Sequence, residues 1–396
     1  MVPLNKQDEN EHRTELMPVN PRRCAVDHFS ALKDPREQWR VLYSLREVLL
    51  LLLCGTLSGM DDFVEINLWG RERLDFLRRF LPFEHGVPSH DTLNDIVNAM
   101  DGKVFQDCFT SWVETLRDSS PDIVAIDGKT SRRTHARSKG REPLHLVSAW
   151  ASRQRLVLGQ EAVTDKSNEI VAIPLLLKRL ELKGALVTID AIGTQVEIAE
   201  TIVDGGGDYL LALKDNWPAF RAEVETFFAD DTNATAFQTF DTTDANHGRL
   251  EQRHHVVCQE VDWLLSERRF PKERPFPRMA MIAMVQTATE RAGKVEREKR
   301  YYISSAKLDA NLFANAVRAH WGIENRLHWV LDVVFHDDLA RLRTGFGPQN
   351  MAVVKHIAMN LIRHPNDRHS LKNRRKLACL NSDYLEAILR APAALT

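Results

Sequence analysis

The first third of the chain carries apolar residues at helical spacing. LYSLREVLLLLLCGTL predicts a buried helix that ends near Gly55 and Gly59, and FVEINLWGRERLDFLRRFL predicts an amphipathic helix. Residues 88–92 supply N-cap side chains ahead of LNDIVNAM, and VFQDCFTSWVETL predicts another helix. The pattern therefore predicts an all-α unit over residues 29–118. The polar residues 1–28, which include several prolines, are predicted to be a disordered tail.

At Pro121 the pattern changes from helical to extended. Three successive strands are predicted from DIVAID, LHLVSAWAS and RLVLGQEAVT. Helix and strand then alternate through EIVAIPLLLKRLE, GALVTID, TQVEIAETIV and DYLLALK. This order predicts an α/β mixed sheet with helices on its faces.

The rest of the chain divides into three parts. Residues 236–305 contain HHVVCQEV, RMAMIAMVQTA and REKRYYISS, which predict the strands of a β-rich insertion. The helical pattern returns at Asp309 with one long helix around ANAVRAHWGIENRLHWVLDVVF. The mixed domain is predicted to span residues 119–363, and residues 364–396 are predicted to form a basic helical tail.

Composition fits a soluble globular protein of two or three domains, with 396 residues, 43% hydrophobic and 27% charged. The formal net charge of −2 does not point to nucleic acid, so any such function must rest on local basic clusters. One cluster lies at residues 132–141 and another at residues 363–376, and either could instead be a solvated charged face.

The cysteine spacing and the N-terminal sequence further narrow the class of protein. The five cysteines are scattered without a CxxC pair, which indicates neither a zinc knuckle nor a disulfide framework. The N-terminus is polar, unlike a secretory signal. The longest apolar run, Val48 to Cys54, is far shorter than the ~20 residues that span a bilayer. A cytoplasmic protein is therefore expected.

Three carboxylates stand out by position. Asp127 and Asp190 each end an apolar run that predicts a buried strand, and functional groups gather at the carboxyl ends of such strands. Glu324 falls within the stripe formed by Val317, Trp321, Leu327, Leu331 and Phe335 on the predicted long helix. Either aspartate could instead cap a turn, and Glu324 could form a salt bridge.

Together these acids predict a hard, oxygen-rich metal site. Such ligands suit Mg²⁺, with Mn²⁺ as a substitute, and two ions could activate an attacking oxygen and stabilise the leaving oxygen of a phosphodiester. His320 and His328 flank Glu324 at four-residue spacing, so zinc is an alternative. However, the order is HxxxExxxH rather than HExxH, and packed histidines that form hydrogen bonds are the commoner outcome.

Several motifs, in this order, resemble one family: AIDGKTSRR, VTDKSNEIVAIPLLL, LVTIDAIGTQ, DYLLALKDN, HGRLEQR, RYYISS and HWGIENRLHWVLDVVFHDD. The chain resembles the H-repeat-associated, ISAs-type branch of DDE transposases from bacterial insertion sequences. The region around GVPSHDTLNDIVNAMD is similar to that family's transposase-associated N-terminal domain. The resemblance implies an RNase H-like catalytic core with a β-rich insertion before the last acid.

The resemblance also implies site residues and partners. The catalytic, metal-binding acids would be Asp127, Asp190 and Glu324, with two Mg²⁺ ions, and the DNA would be the terminal inverted repeats and a target. A homo-oligomer on DNA is expected, with the helical unit recognising the ends. The residues expected to contact DNA are Lys129, Arg132, Arg133, Arg137, Lys214, His247, Arg249, His320 and Asn325.

One departure from the broader superfamily concerns those DNA contacts. Val317, His320 and Leu331 occupy the places of its Tyr, Arg and Lys around the last acid. Two alternative functions also stay open: a nuclease of the same fold that cuts DNA without joining it, and a DNA-binding protein without catalysis. The intact set of three acids argues against the second alternative.

Overall fold

The helical region forms as predicted from the apolar spacing, except that the amphipathic helix predicted from FVEINLWGRERLDFLRRFL is divided into two helices at Arg73, whose backbone is not helical. The computed structural model describes residues 25–135, 142–163, 168–246, 249–264, 274–291 and 293–390. Ser44 begins the first helix with a capping box that includes Glu47, and Ser89 caps the helix after Pro88. The helices are α1 (Leu45–Leu57), α2 (Phe63–Glu72), α3 (Leu74–Leu77), α4 (His90–Ala99) and α5 (Gly102–Glu114).

The boundary predicted for the disordered tail is too late. Residues Ala25–Phe29 form a 3-10 turn, and the side chains of Val26 and Phe29 are buried. Phe29 packs edge-on against Phe105 of α5, so this turn belongs to the helical region. Residues 1–24, for which the tail was also predicted, lie outside the described residues.

The mixed sheet has the predicted order of three strands followed by alternating helices and strands. The central strand β1 is parallel to β4, which is parallel to β5, while β2 runs antiparallel to β1 and β3. This arrangement is an RNase H-like core, with strand order β3-β2-β1-β4-β5. Its elements are β1 (Ile123–Ser131), β2 (Leu144–Ala151), β3 (Leu156–Val163), α6 (Glu169–Leu177), β4 (Leu186–Ile189), α7 (Val196–Asp204) and β5 (Asp208–Leu213).

The β-rich insertion extends this sheet. Its last strand pairs antiparallel with β5, so the described strands form one nine-stranded sheet that continues β5-β9-β8-β7-β6. The strand β6 was not predicted, because QTFDTTDAN is largely polar. The elements are α8 (Pro218–Ala229), β6 (Gln238–Asn246), β7 (Arg249–Cys258), β8 (Met281–Arg291) and β9 (Lys294–Ser304).

The long helix after the insertion is interrupted at the candidate acid. It consists of α9 (Ala310–Ile323), a π turn (Glu324–His328) and α10 (Trp329–Val333). Helix α9 crosses one face of the sheet and packs against β1, β4, β6 and β7. The helix therefore brings residue 324 beside β1.

The C-terminal helices belong to the core of the molecule. Helix α11 (Gly347–Ile362) is buried over most of its length and packs against α1, α4, α5 and β3. Helices α12 (Leu371–Leu380) and α13 (Ser382–Leu389) come next along the chain. Arg374 and Arg375 of the predicted basic tail are buried, and both donate to backbone carbonyls. No helix in the described ranges is long and apolar enough to cross a membrane.

Candidate active site

The two aspartates come directly after paired positions on adjacent strands. Ile126 of β1 pairs with Ile189 of the parallel strand β4, and the next residues along the chain are Asp127 and Asp190. The apolar residues before each aspartate are buried, which fixes both strands in the sheet. Asp190 directly follows the end of β4, but the prediction that Asp127 ends its strand was wrong, because residues 128–131 continue to pair with β2. Asp190 also accepts a hydrogen bond from the Ile192 backbone N–H at 3.2 Å, so it caps the next 3-10 turn as well.

Glu324 reaches the site by a different route from the one its sequence pattern predicted. The residue is exposed, not part of the buried stripe, and Trp321 in the same predicted stripe is 43% exposed. The prediction was wrong because the buried face of α9 runs through Phe313, Ala316 and Ile323, so Glu324, three residues after the exposed Trp321, falls outside it. Glu324 forms no salt bridge with any described Arg or Lys, so its carboxylate is available in the cleft beside α9.

Asp127 interacts electrostatically with the other acids of the candidate site. Burial is the main cause that raises the pKa of Asp127 to about 7. A hydrogen bond from the Gly128 N–H acts against this rise, and the carboxylates of Asp190, Glu169 and Glu324 add to it. Glu169 was not singled out from the sequence. Its signal was SNEIVAIP, where an acid opens an apolar helix directly after the third strand.

The chemistry of the donor set fits a hard divalent cation. Carboxylate oxygens are the ligands that Mg²⁺ and Mn²⁺ prefer, and a cation would relieve the crowding of like charges that raises the pKa of Asp127. As the described side chains stand, no group of three or more His, Cys, Asp or Glu residues is arranged to hold an ion. The assignment of Asp127, Asp190 and Glu324 as metal ligands stays a prediction.

The two histidines that flank Glu324 have partners on the sheet. The Nδ1 atom of His320 lies 3.0 Å from Thr188 Oγ1, and burial lowers the pKa of His320. The Nδ1 atom of His328 lies 3.4 Å from Asp127 Oδ2, and burial lowers the pKa of His328 to about 4. Both rings therefore lie between the helix and the strands that carry the aspartates.

Lys129, which is expected to contact DNA, lies in an ionic cluster. Its Nζ is 2.7 Å from Asp332, 3.4 Å from Asp338 and 3.5 Å from Asp337, and its side chain is 11% exposed. Asp337 in turn accepts from Lys355 at 2.8 Å and from Ser131 Oγ at 2.7 Å. Because three carboxylates already neutralise the ammonium group, we assign Lys129 to fastening β1 to the segment after Glu324.

The other residues expected to contact DNA lie in different surroundings. Arg132 is 82% exposed, and Arg133 and Lys214 are exposed as well. Asn325 lines the cleft, as does Arg249, which pairs with Glu251 at 2.8 Å. Arg137 and His247 lie outside the described residues.

A cleft separates α9 from the face of the insertion. Its volume is about 1640 Å³, and Glu324 lies on its wall. Cations outnumber carboxylates on this wall, although Arg253 and Arg318 share Asp244 and Arg300 pairs with Glu298. The cationic residues are Arg153, Arg249, Arg253, Arg291, Lys294, Arg297, Arg300, Arg318 and Arg326.

The chain is similar to one known family along most of its length. Residues 26–113 match the model described as DDE_Tnp_1-associated, and residues 118–361 match the Transposase DDE domain. The "H repeat-associated putative transposase YhhI" of Escherichia coli (strain K12) is 36% identical, over 92% of this chain and 97% of its own length. The "Putative transposase YncI" of Escherichia coli O157:H7 is 35% identical, over 93% of this chain and 95% of its own length.

The fold and the comparisons with known proteins together define the class of protein. The mixed sheet with its N-terminal helical region is consistent with the RNase H-like core of a DDE transposase. The chain belongs to the Transposase DDE domain family, with the DDE_Tnp_1-associated domain at its N-terminal end. The resemblance inferred from the motifs is therefore confirmed.

Proposed function

We propose that this protein is an insertion-sequence transposase that cleaves DNA at transposon ends and transfers the freed strand into a target. The observation that carries the proposal is the alignment of Asp127 and Asp190 at neighbouring parallel strands, with Glu324 as an electrostatic neighbour of Asp127. An acid set of this kind holds dications against a phosphodiester.

The roles of the residues are inferred from their surroundings. Asp127, Asp190 and Glu324 would hold Mg²⁺, or Mn²⁺ in its place, and the bound ions would polarise the scissile phosphate and the attacking oxygen. Asp127 and Asp190 are fixed by their strands, while Glu324 approaches from the helix side. His328 packs against Asp127 and restricts the orientation of its carboxylate.

We infer that DNA approaches the acids through the cleft between α9 and the insertion. Among the described residues, Arg291, Lys294 and Arg297 at the tips of β8 and β9 are exposed and form no ion pair, so they are available for phosphates. Arg132 and Arg133 lie just beyond β1, where they could contact the same duplex. We propose that the partners are terminal inverted repeats and target DNA, bound by a homo-oligomer.

The function is tested with a DNA substrate that carries the element's own inverted repeats. We expect Asp127→Asn, Asp190→Asn and Glu324→Gln each to reduce Mg²⁺-dependent end cleavage by about 100-fold or more, with DNA affinity retained. The matched control is Glu197→Gln on α7, which should cleave like wild type. Cleavage without joining would favour the nuclease alternative, and binding without either reaction would favour a non-catalytic protein.

The DNA path makes a separate prediction. Arg291→Ala, Lys294→Ala and Arg297→Ala combined should weaken DNA binding and reduce the salt dependence of the affinity by about one unit of slope for each lost phosphate contact. The control is Lys178→Ala with Lys183→Ala, two exposed cations that lie in neither basic cluster and do not line the cleft. An unchanged salt slope in the triple variant, measured by fluorescence anisotropy, would contradict the proposed path.

A further inference from the structure

The central strand β1 presents different chemistry on its two faces. Side chains of a strand alternate between faces, and Lys129 and Ser131 both contact Asp337 on the helix α10 side. Gly128 and Thr130 therefore face the opposite side, where Glu169 at the start of α6 lies against Gly128. Asp127 lies on the same face of β1 as Lys129 and Ser131. The proposed function assigns no role to the side chains on the other face.

On this second face, three side chains form a continuous hydrogen-bonded relay. Thr130 pairs in register with His145 of β2, and Thr130 Oγ1 lies 2.7 Å from His145 Nδ1. His145 Nε2 lies 2.7 Å from Oε1 of Glu169, the first residue of α6. A carboxylate only accepts, so the Nε2–H of His145 donates to Glu169, and in the neutral ring Nδ1 accepts from the Thr130 hydroxyl.

Gly128 explains how Glu169 comes so close to the strand. A Cβ at residue 128 would lie 2.3 Å from Glu169 Oε1 and 2.7 Å from His145 Nε2, so a larger residue would displace both groups. Gly128 is the residue after Asp127, and its missing side chain leaves the space that the carboxylate occupies. Glu169 is 21% exposed at its side chain, and no described Arg or Lys pairs with it.

We propose that Glu169 is a fourth acidic group of the candidate site, a positioning residue held by His145 and Thr130 that acts on Asp127 from the opposite face of β1. Its uncancelled charge adds to the negative field of the site, and its contact with the strand fixes the backbone that carries Asp127. The inference rests on the proposed function, because a metal site is what this field would serve.

The decisive variant is Glu169→Gln, which keeps the shape of the side chain and an oxygen that accepts from His145 but removes the charge. We expect Mn²⁺ to bind the full-length variant about tenfold more weakly than wild type, as for other residues that support metal ligands. The melting temperature of the metal-free protein should stay close to that of wild type. A merely structural role for Glu169 would leave Mn²⁺ affinity unchanged in this variant.

The experiment is an Mn²⁺ titration by calorimetry in the absence of DNA. The matched control is Glu161→Gln on β3, which has a similarly buried side chain, 17% exposed, and pairs with Arg179. This control should bind Mn²⁺ like wild type. Asp127→Asn provides the reference for loss of the site itself.

Each outcome decides one question. Wild-type affinity in Glu169→Gln with weakened binding in Asp127→Asn overturns the inference and leaves the proposed function standing. If Asp127→Asn binds Mn²⁺ as well as wild type, the proposed function itself fails. Should Glu169→Gln not fold, Thr130→Val tests the exposed end of the relay, and wild-type Mn²⁺ affinity in that variant overturns the inference.

Discussion

At the scale of single residues, the carboxyl group of Asp127 has a strongly raised pKa. Burial, together with the neighbouring carboxylates, raises its pKa to about 7, whereas an aspartate in an unfolded chain titrates near 3.9. The folded state therefore keeps a proton that the unfolded state releases between these pH values. The consequence is that Asp127 lowers stability as pH rises through this window.

We predict that Asp127→Asn removes this pH dependence in the metal-free protein. Between pH 5 and pH 8 in EDTA, wild type should lose on the order of 2–4 kcal/mol of unfolding free energy relative to the variant. Urea denaturation at several pH values measures the difference. The exposed Asp91 provides the control substitution Asp91→Asn, and parallel pH profiles for wild type and Asp127→Asn would contradict the prediction.

Lys129 makes a second prediction at this scale. Lys129→Met leaves the buried Asp337 with Lys355 as its cation and leaves the partly exposed Asp332 without one. The free energy of unfolding should therefore fall by about 1–3 kcal/mol, less than for a fully buried charge that loses its sole partner. The salt dependence of DNA binding should not change. Arg132→Ala with Arg133→Ala should leave the free energy of unfolding nearly unchanged and reduce the salt dependence of DNA binding. The reason is that exposed arginines contribute little to stability and can contact phosphates. A folded Lys129→Met protein with a reduced salt slope would restore the original DNA-contact interpretation.

The site residues differ in how far sequence could predict them. Asp127 and Asp190 were identified because an apolar run that ends in an acid is visible along the chain. Glu324 was identified by its place in a predicted apolar stripe and by the family motif, but its burial was predicted wrongly. Lys129 and Glu169 depend on partners far away in sequence, Asp337 and His145, and no local pattern records which side chains a strand will meet across the fold.

At the scale of elements, the π turn sets the orientation of α9, which carries Glu324 at its end, relative to α10. Helical periodicity predicted the long helix correctly, yet the same periodicity cannot reveal one inserted residue between Ile323 and Leu327, which are both buried. A residue added to an α-helix rotates the rest of that helix by about 100°. The π turn thus lets α9 and α10 both bury apolar faces while Glu324 remains in the cleft.

We predict that deleting Arg326 closes the π turn into regular α-helix. The deletion shifts the part of the helix that carries Glu324 relative to α10, so Mg²⁺-dependent cleavage should fall by about 100-fold. The far-ultraviolet circular dichroism should remain close to that of wild type. Arg326→Ala keeps the length of the turn and is the matched control. Equal cleavage by the deletion and the alanine variant would show that the turn does not position Glu324.

At the scale of the whole molecule, the helical region and the catalytic sheet share one hydrophobic core. Helix α11 lies between them, and Asn350 on this helix donates to the carbonyls of Val97 and Met100. From α12, Arg375 donates to the Thr56 carbonyl and stacks over Phe335, 4.6 Å from its ring centroid. Local sequence patterns predicted the separate elements. They could not predict that the C-terminal helices complete the core, because those contacts join residues far apart in the sequence.

This shared core predicts how the chain responds to truncation. The sequence predicts a helical unit at residues 29–118 that recognises DNA ends, and removing it would test that role only if the remainder folds. Without α1, α4 and α5, the apolar face of α11 loses its cover, and Asn350 loses both acceptors. We therefore expect residues 119–390 alone to bind the dye ANS and to lose near-ultraviolet circular dichroism, as loosely packed states do.

Full-length protein with Asn350→Ala is the milder comparison. This variant should stay folded but unfold at lower temperature, because it loses two buried hydrogen bonds. A truncated protein with a cooperative thermal transition near that of the full chain would contradict the shared core and would make the helical region a separable domain.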